Sequence, residues 1–114
     1  MAVQEHLRIE QRHDGDIAVL HLDGELDLAS APLFQAELDR AAVGGAAKLL
    51  IDLRDLYFID STGLRTIFSA QAHASERGQE FAVTHGSEQV QRLLAITRMG
   101  DHLRIVAGPE DLRS

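Results

Sequence analysis

A small α/β domain with a mixed sheet is the fold this sequence predicts, and three features predict it. Two strand-like runs flank Asp14-Gly15, a turn signal that pairs its neighbours antiparallel. Each later strand-like run follows a segment of helical periodicity, an alternation that gives parallel pairing through right-handed crossovers. The 45% hydrophobic and 25% charged content suits a packed core and not a disordered chain. At 114 residues, one domain spanning 1–114 is the expectation.

The elements follow in order. "HLRIEQR" (6–12) and "IAVLHLDGEL" (17–26) read as an antiparallel pair. In the second run Ile17, Val19 and His21 alternate with Ala18, Leu20 and Leu22, and both sets are largely apolar, as in a strand covered on both faces. "ASAPLFQAELDRAAVGG" (29–45) predicts a helix with Ser30 as cap, Pro32 in the first turn and Gly44-Gly45 as stop; Phe34, Leu38, Ala41 and Ala42 share a face. "KLLIDLRDLYFID" (48–60) is an apolar strand with its exit segment. "STGLRTIFSAQAHASERG" (61–78) is a second helix, with Leu64, Ile67, Phe68 and Gln71 or Ala72 on one side and Gly78 at its end. "EFAVTH" (80–85) is a strand, and "SEQVQRLLAITRMG" (87–100) is a third helix with Val90, Leu93, Leu94 and Thr97 in register. "LRIVA" (103–107) is the last strand, after which Pro109 opens a short turn of helix. The order is β-β-α-β-α-β-α-β, with the helices packed on the sheet.

Charge and composition then narrow the function. A formal charge of −7 opposes nucleic-acid binding, which needs a clustered basic surface, and favours a partner with a basic patch. With no cysteine, thiol catalysis, cysteine-bound zinc and iron–sulfur clusters are excluded, and a reducing cytoplasm suits the chain. No apolar stretch approaches the ~20 residues of a membrane span, and "MAVQEHLRIEQRHDG" lacks a signal peptide's apolar core. The six histidines are dispersed without a metal-binding spacing, and "VGGAAK" lacks the ending of a phosphate loop. Neither metal nor cofactor is expected. No heptad seam asks for a dimer, so a monomer is the expectation.

The chemistry concentrates in Asp60-Ser61-Thr62-Gly63, where a strand ends and a helix begins. Ligands gather at the carboxyl ends of strands in such sheets, and a helix's first turn favours phosphate. A hydroxyl there is exposed on a pinned backbone, Gly63 admits a partner closely, and phosphorylation would add roughly −1.5 to −2 charges. Capping alone also explains these residues. "GELD" (24–27) ends another strand, so Asp27 can share a rim with Asp60 and Ser61, or merely shape a turn with Ser30. A serine hydrolase would need a G-x-S-x-G elbow and a histidine base, and neither is assembled around Ser61.

"GELD", "DLRDLYFIDSTGLRTI" (52–67) and "RLLAITRMGDHLRI" (92–105) together resemble the STAS domain of bacterial anti-sigma factor antagonists, over essentially the whole chain. The resemblance implies a cytoplasmic regulatory module and not an enzyme. Its partner would be an anti-sigma factor with serine kinase activity, which phosphorylates the serine after the motif's acid, here Ser61, and is thereby released. A separate phosphatase would reverse the step. Asp60 matches the acid that helps phosphotransfer and Asp27 the acid of G-E-L-D; Thr62 takes the second hydroxyl position. Gly63 and Leu64 match the close-approach glycine and the first core residue of the helix. Arg65 departs from the small residue frequent there, and can pair with a phosphate on Ser61 or remain solvated. The alternative is a STAS adaptor in a lipid-transport ABC system or a stress-sensing complex, with no phosphorylation switch.

Overall fold

The alternation of strands and helices lays six strands side by side in chain order. The computed structural model describes residues 2–113, so Met1 and Ser114, the ends of the expected 1–114 domain, lie outside the described residues. The strands are β1 (Ala2–Gln4), β2 (Leu7–Asp14), β3 (Ile17–Leu26), β4 (Lys48–Ile59), β5 (Glu80–Thr84) and β6 (Ile105–Val106). The helices are α1 (Ala31–Gly44), α2 (Ser61–Glu76) and α3 (Glu88–Thr97), with 3-10 turns at Met99–His102 and Pro109–Asp111. Sheet order is β1-β2-β3-β4-β5-β6, antiparallel up to β3 and parallel beyond it.

This order dictates where the helices go. Every crossover steps in the same direction across the sheet, so right-handed connections put all the helices on one face. Phe34 and Leu38 of α1, Leu64 and Ile67 of α2, and Val90 and Leu94 of α3 accordingly join one core with Leu20, Leu22, Leu49, Ile51 and Val83. On the opposite face Ile17, Val19, Leu50 and Ala82 are buried with Val106 and Leu112. Coverage of β3 on both faces thus holds, with the C-terminal segment and not a helix as the second cover. That segment is fastened by the Lys48 ammonium, which donates to the Leu112 carbonyl, and by Arg113 Nη2, 2.6 Å from Asp14 Oδ2.

Several elements differ from the sequence expectation. β1 was not foreseen, because three residues carry no readable period. Asp14 pairs with Ile17, so the hairpin turn is Gly15-Asp16 and not Asp14-Gly15. Gly15, at φ +63°, takes the first turn position, where a hairpin of this length needs a positive φ. The last strand shrinks to Ile105–Val106, because α3 ends at a left-handed Arg98 and the chain first makes a 3-10 turn. On α2 the buried stripe runs through Ala70 and Ala74, while Ala72 is exposed. Thr97 is also exposed, and its hydroxyl donates back to the Leu93 carbonyl.

One buried charge on the open face makes acid stability testable. Asp52 is 1% exposed and accepts from the Arg54 Nε (2.9 Å), Nη2 (2.7 Å) and backbone N–H (3.1 Å). Burial by itself pushes this carboxyl up, but the Arg54 hydrogen bonds and charge outweigh it and hold it below its ordinary 3.8. A depressed folded-state value means stability that is present above the unfolded value and lost as pH falls through the folded one. Urea unfolding should therefore show stability falling below about pH 4, with Asp52→Asn flattening that acid limb. At pH 7 the same substitution should cost about 1–3 kcal/mol through its weakened hydrogen bonds. An unchanged acid limb in Asp52→Asn would rule this out.

Candidate functional site at the carboxyl ends of two strands

β3 and β4 are parallel neighbours that finish together, with Leu26 opposite Ile59. Gly24-Glu25-Leu26-Asp27 and Asp60-Ser61-Thr62-Gly63 therefore leave the sheet side by side. The Asp60 N–H donates to the Leu26 carbonyl (3.2 Å), carrying the strand contact one residue further.

Asp60 then caps α2 from an extended backbone. Its Oδ1 accepts the Gly63 N–H at 2.8 Å, while Oδ2 accepts the Leu28 N–H at 3.1 Å. One carboxylate thus closes the start of a helix and ties down the loop after β3. Asp27 organises that loop from within, its Oδ1 accepting the Ala29 and Ser30 N–H groups, each at 3.0 Å. Ser30 occupies the cap position of α1, but its hydroxyl does not cap the helix. It accepts from the Asp27 N–H (3.0 Å) and donates to the Glu25 carbonyl (2.9 Å), stitching the turn shut.

Ser61 is the first residue of α2, exposed, with a hydroxyl that makes no hydrogen bond to the described residues. Thr62 is half-buried and its carbonyl accepts the Thr66 hydroxyl (3.0 Å). Arg65 is exposed one turn further along the helix. Leu64 is the first core residue of α2, as the sequence reading has it, whereas Gly63 corrects the expectation that a partner approaches closely there. Leu64 is 1% exposed in the main core. Gly63 is buried, and a Cβ there would lie 2.6 Å from the Leu26 carbonyl oxygen and 2.9 Å from Ile59 Cγ1. Its missing side chain lets α2 approach the end of β3, so the close approach is inside the molecule. These two residues can serve a partner only by placing Ser61.

The chemical capacity of the rim follows. A solvent-facing hydroxyl on a backbone held by the Asp60 cap, on the rim where Asp27 and Asp60 bind neighbouring amides of one loop, can receive a group brought by another protein. No histidine is hydrogen-bonded to Ser61 among the described residues, so a serine–histidine nucleophile is not assembled. His21 is engaged elsewhere, its Nε2 lying 2.6 Å from Asp55 Oδ2, which agrees with a packed, hydrogen-bonded strand histidine. Among the described residues no group of three metal-ligating side chains converges. Among the described residues no helix is long and apolar enough to cross a membrane.

Sequence reasoning missed Gln89. Its Oε1 accepts the Ile59 N–H at 2.8 Å, and its Nε2 donates to the Ile59 carbonyl at 2.9 Å. Helical periodicity shows only that position 89 lies off the buried stripe, and no local pattern announces a bond to a strand thirty residues away.

Comparison with known proteins agrees with this architecture. A family model described as the STAS domain matches residues 8–111. The chain is 33% identical over 100 residues to the anti-sigma-B factor antagonist of Bacillus subtilis (strain 168), covering 88% of this chain and 90% of that one. It is 30% identical over 90 residues to the anti-sigma F factor antagonist of Paenibacillus polymyxa, with 78% and 77% covered. The crystal structure of an anti-sigma factor antagonist from Mycobacterium paratuberculosis superposes with a TM-score of 0.84 at 17% identity, covering 97% of this chain and 94% of that one, a likeness of fold.

Proposed function

The chain belongs to the STAS domain family, and on that premise we propose that it is an anti-sigma factor antagonist switched by phosphorylation of Ser61. The names of its relatives in Bacillus and Paenibacillus support the first half of this reading. The observation that carries the second is Ser61 itself: an exposed hydroxyl opening α2, on a backbone held by the capping of Asp60.

In this reading residues 1–114 form one regulatory domain that acts in the cytoplasm as a monomer, without a cofactor. Its rim binds an anti-sigma factor that is also a serine kinase, which frees the sigma factor. The Ser61 oxygen accepts the γ-phosphoryl group of ATP held by that partner, ADP leaves, and the hydroxyl proton passes to a carboxylate. Asp27 and Asp60 are the rim carboxylates available for this, beyond their bonds to the backbone. A phosphatase returns the serine by hydrolysis.

Intact-mass measurement with phosphosite mapping tests the switch on protein recovered from native cells, stressed and unstressed. A single phosphoryl group on Ser61 whose occupancy changes with condition is expected. An unmodified Ser61 under every condition would remove the switch and leave a static docking module.

A further inference from the structure

β4 outruns its neighbour. Its pairing with β5 covers only Lys48–Ile51 against Glu80–Val83, yet the strand continues to Ile59. Along the unpaired stretch, side chains from the end of β5 through the first turn of α3 stand in for the absent strand. The Leu53 N–H donates to Thr84 Oγ1 (2.8 Å), the Tyr57 carbonyl accepts from Ser87 Oγ (3.1 Å), and Gln89 closes the series on both polar groups of Ile59. A carboxamide presents an N–H donor and a carbonyl acceptor side by side, as a strand backbone does, so Gln89 acts as one residue of a neighbouring strand. The end of β4 is thereby held from both edges, through the Asp60 N–H on the Leu26 carbonyl of β3 and through Gln89 on Ile59. The next two residues are Asp60 and Ser61.

We propose that Gln89 is a positioning residue for Ser61, fixing the end of β4 so that the hydroxyl stands where an incoming phosphoryl group can be transferred. The inference rests on the reading of Ser61 as the phosphoacceptor. It assigns to α3 a part in phosphotransfer although α3 contributes no reacting atom. Without the carboxamide, the Ile59 N–H and carbonyl turn to water and the strand end frays. Transfer to a hydroxyl depends steeply on its placement, and a displacement of about 1 Å can cost a hundredfold. The loss should fall on the rate of the bound complex and not on partner affinity, because Gln89 itself is not the acceptor.

Two variants separate this from a general effect on folding. Gln89→Met keeps length and bulk while removing both hydrogen bonds; Gln89→Glu keeps the acceptor for the Ile59 N–H and removes the donor. In Gln89→Met, amide exchange at Ile59 should speed up about tenfold, with Leu20 and Ile51 unchanged. Ser61 labelling, measured with ATP and the anti-sigma kinase that co-purifies with the chain, should show kcat reduced about tenfold and KM within about twofold. Gln89→Glu should restore protection at Ile59 and recover part of the rate. Faster Ile59 exchange with wild-type labelling would reduce Gln89 to a structural role and overturn the inference. So would an Ile59 amide indifferent to the substitution. Failure of the wild-type chain to take phosphate would instead defeat the acceptor reading, and with it the phosphotransfer role, while the exchange measurement would still decide whether Gln89 holds the strand end.

Discussion

Ser61→Asp is expected to weaken binding of the anti-sigma factor about a hundredfold or more, while Ser61→Ala stays within about threefold of wild type. Ser61 lies on a rim that already holds Asp27 and Asp60, in a chain of formal charge −7. A further carboxylate at the centre of a contact must shed its water and face the charges beside it, and like charges brought together in an interface cost several kcal/mol. Each 1.4 kcal/mol is a factor of ten in affinity. Arg65, exposed one turn along the same helix, should offset part of this, and Arg65→Ala combined with Ser61→Asp should then bind more weakly still.

Stability should move the other way, which makes the result interpretable. Ser61 is the first residue of α2, where the helix dipole favours negative charge by about 0.3–1 kcal/mol. Ser61→Asp should therefore melt no lower than wild type while binding less. Ser61→Asn supplies the bulk without the charge, and calorimetry across a series of salt concentrations separates the two contributions. Equal affinity for the Ala, Asn and Asp variants would defeat the electrostatic switch. An Asn variant as weak as Asp would assign the effect to bulk.

The parts of this site that were legible in the sequence are those set by neighbours in the chain. Asp60 before Ser61 announces a helix start because a cap acts over three residues, and Leu64 and Ile67 show the buried face because helical spacing is local. Ser30 shows the limit of such reading. The cap position was readable, but its hydroxyl had nearby alternatives in the Asp27 N–H and the Glu25 carbonyl, and these won. Gly63 shows another: a sequence displays a glycine but not which side something approaches from, and here Leu26 of the same chain approaches. Gln89 lay beyond reach altogether, because its partner is fixed by where β5 stops, a property of the folded sheet.

The glycine of "GELD" leads to the largest expected loss of stability. Gly24 pairs with Leu7 of β2 at φ +121°, a conformation nearly closed to other residues. A Cβ added there would stand 2.2 Å from the His6 carbonyl oxygen, a backbone atom that cannot rotate away as a side chain does. That same oxygen accepts the Glu25 N–H at 2.8 Å, so relieving the clash means losing the bond that holds the motif's next residue. Backbone strain and overpacking each cost about 1–3 kcal/mol, and together they put Gly24→Ala near 4 kcal/mol. For a domain of this size that is a drop of roughly 15 °C in melting temperature. Gly15→Ala is the internal control: Gly15 also has a positive φ, +63°, but a Cβ there meets nothing within 4 Å. It should lose only the conformational part, about 1–2 kcal/mol. The difference between the two variants combines the His6 contact with the harsher backbone at φ +121°, and equal losses would show that neither matters. Because the disturbed segment leads directly to Asp27, Gly24→Ala should also lower Ser61 phosphorylation at temperatures where the domain is still folded, which ties the first residue of the motif to the placement of the rim.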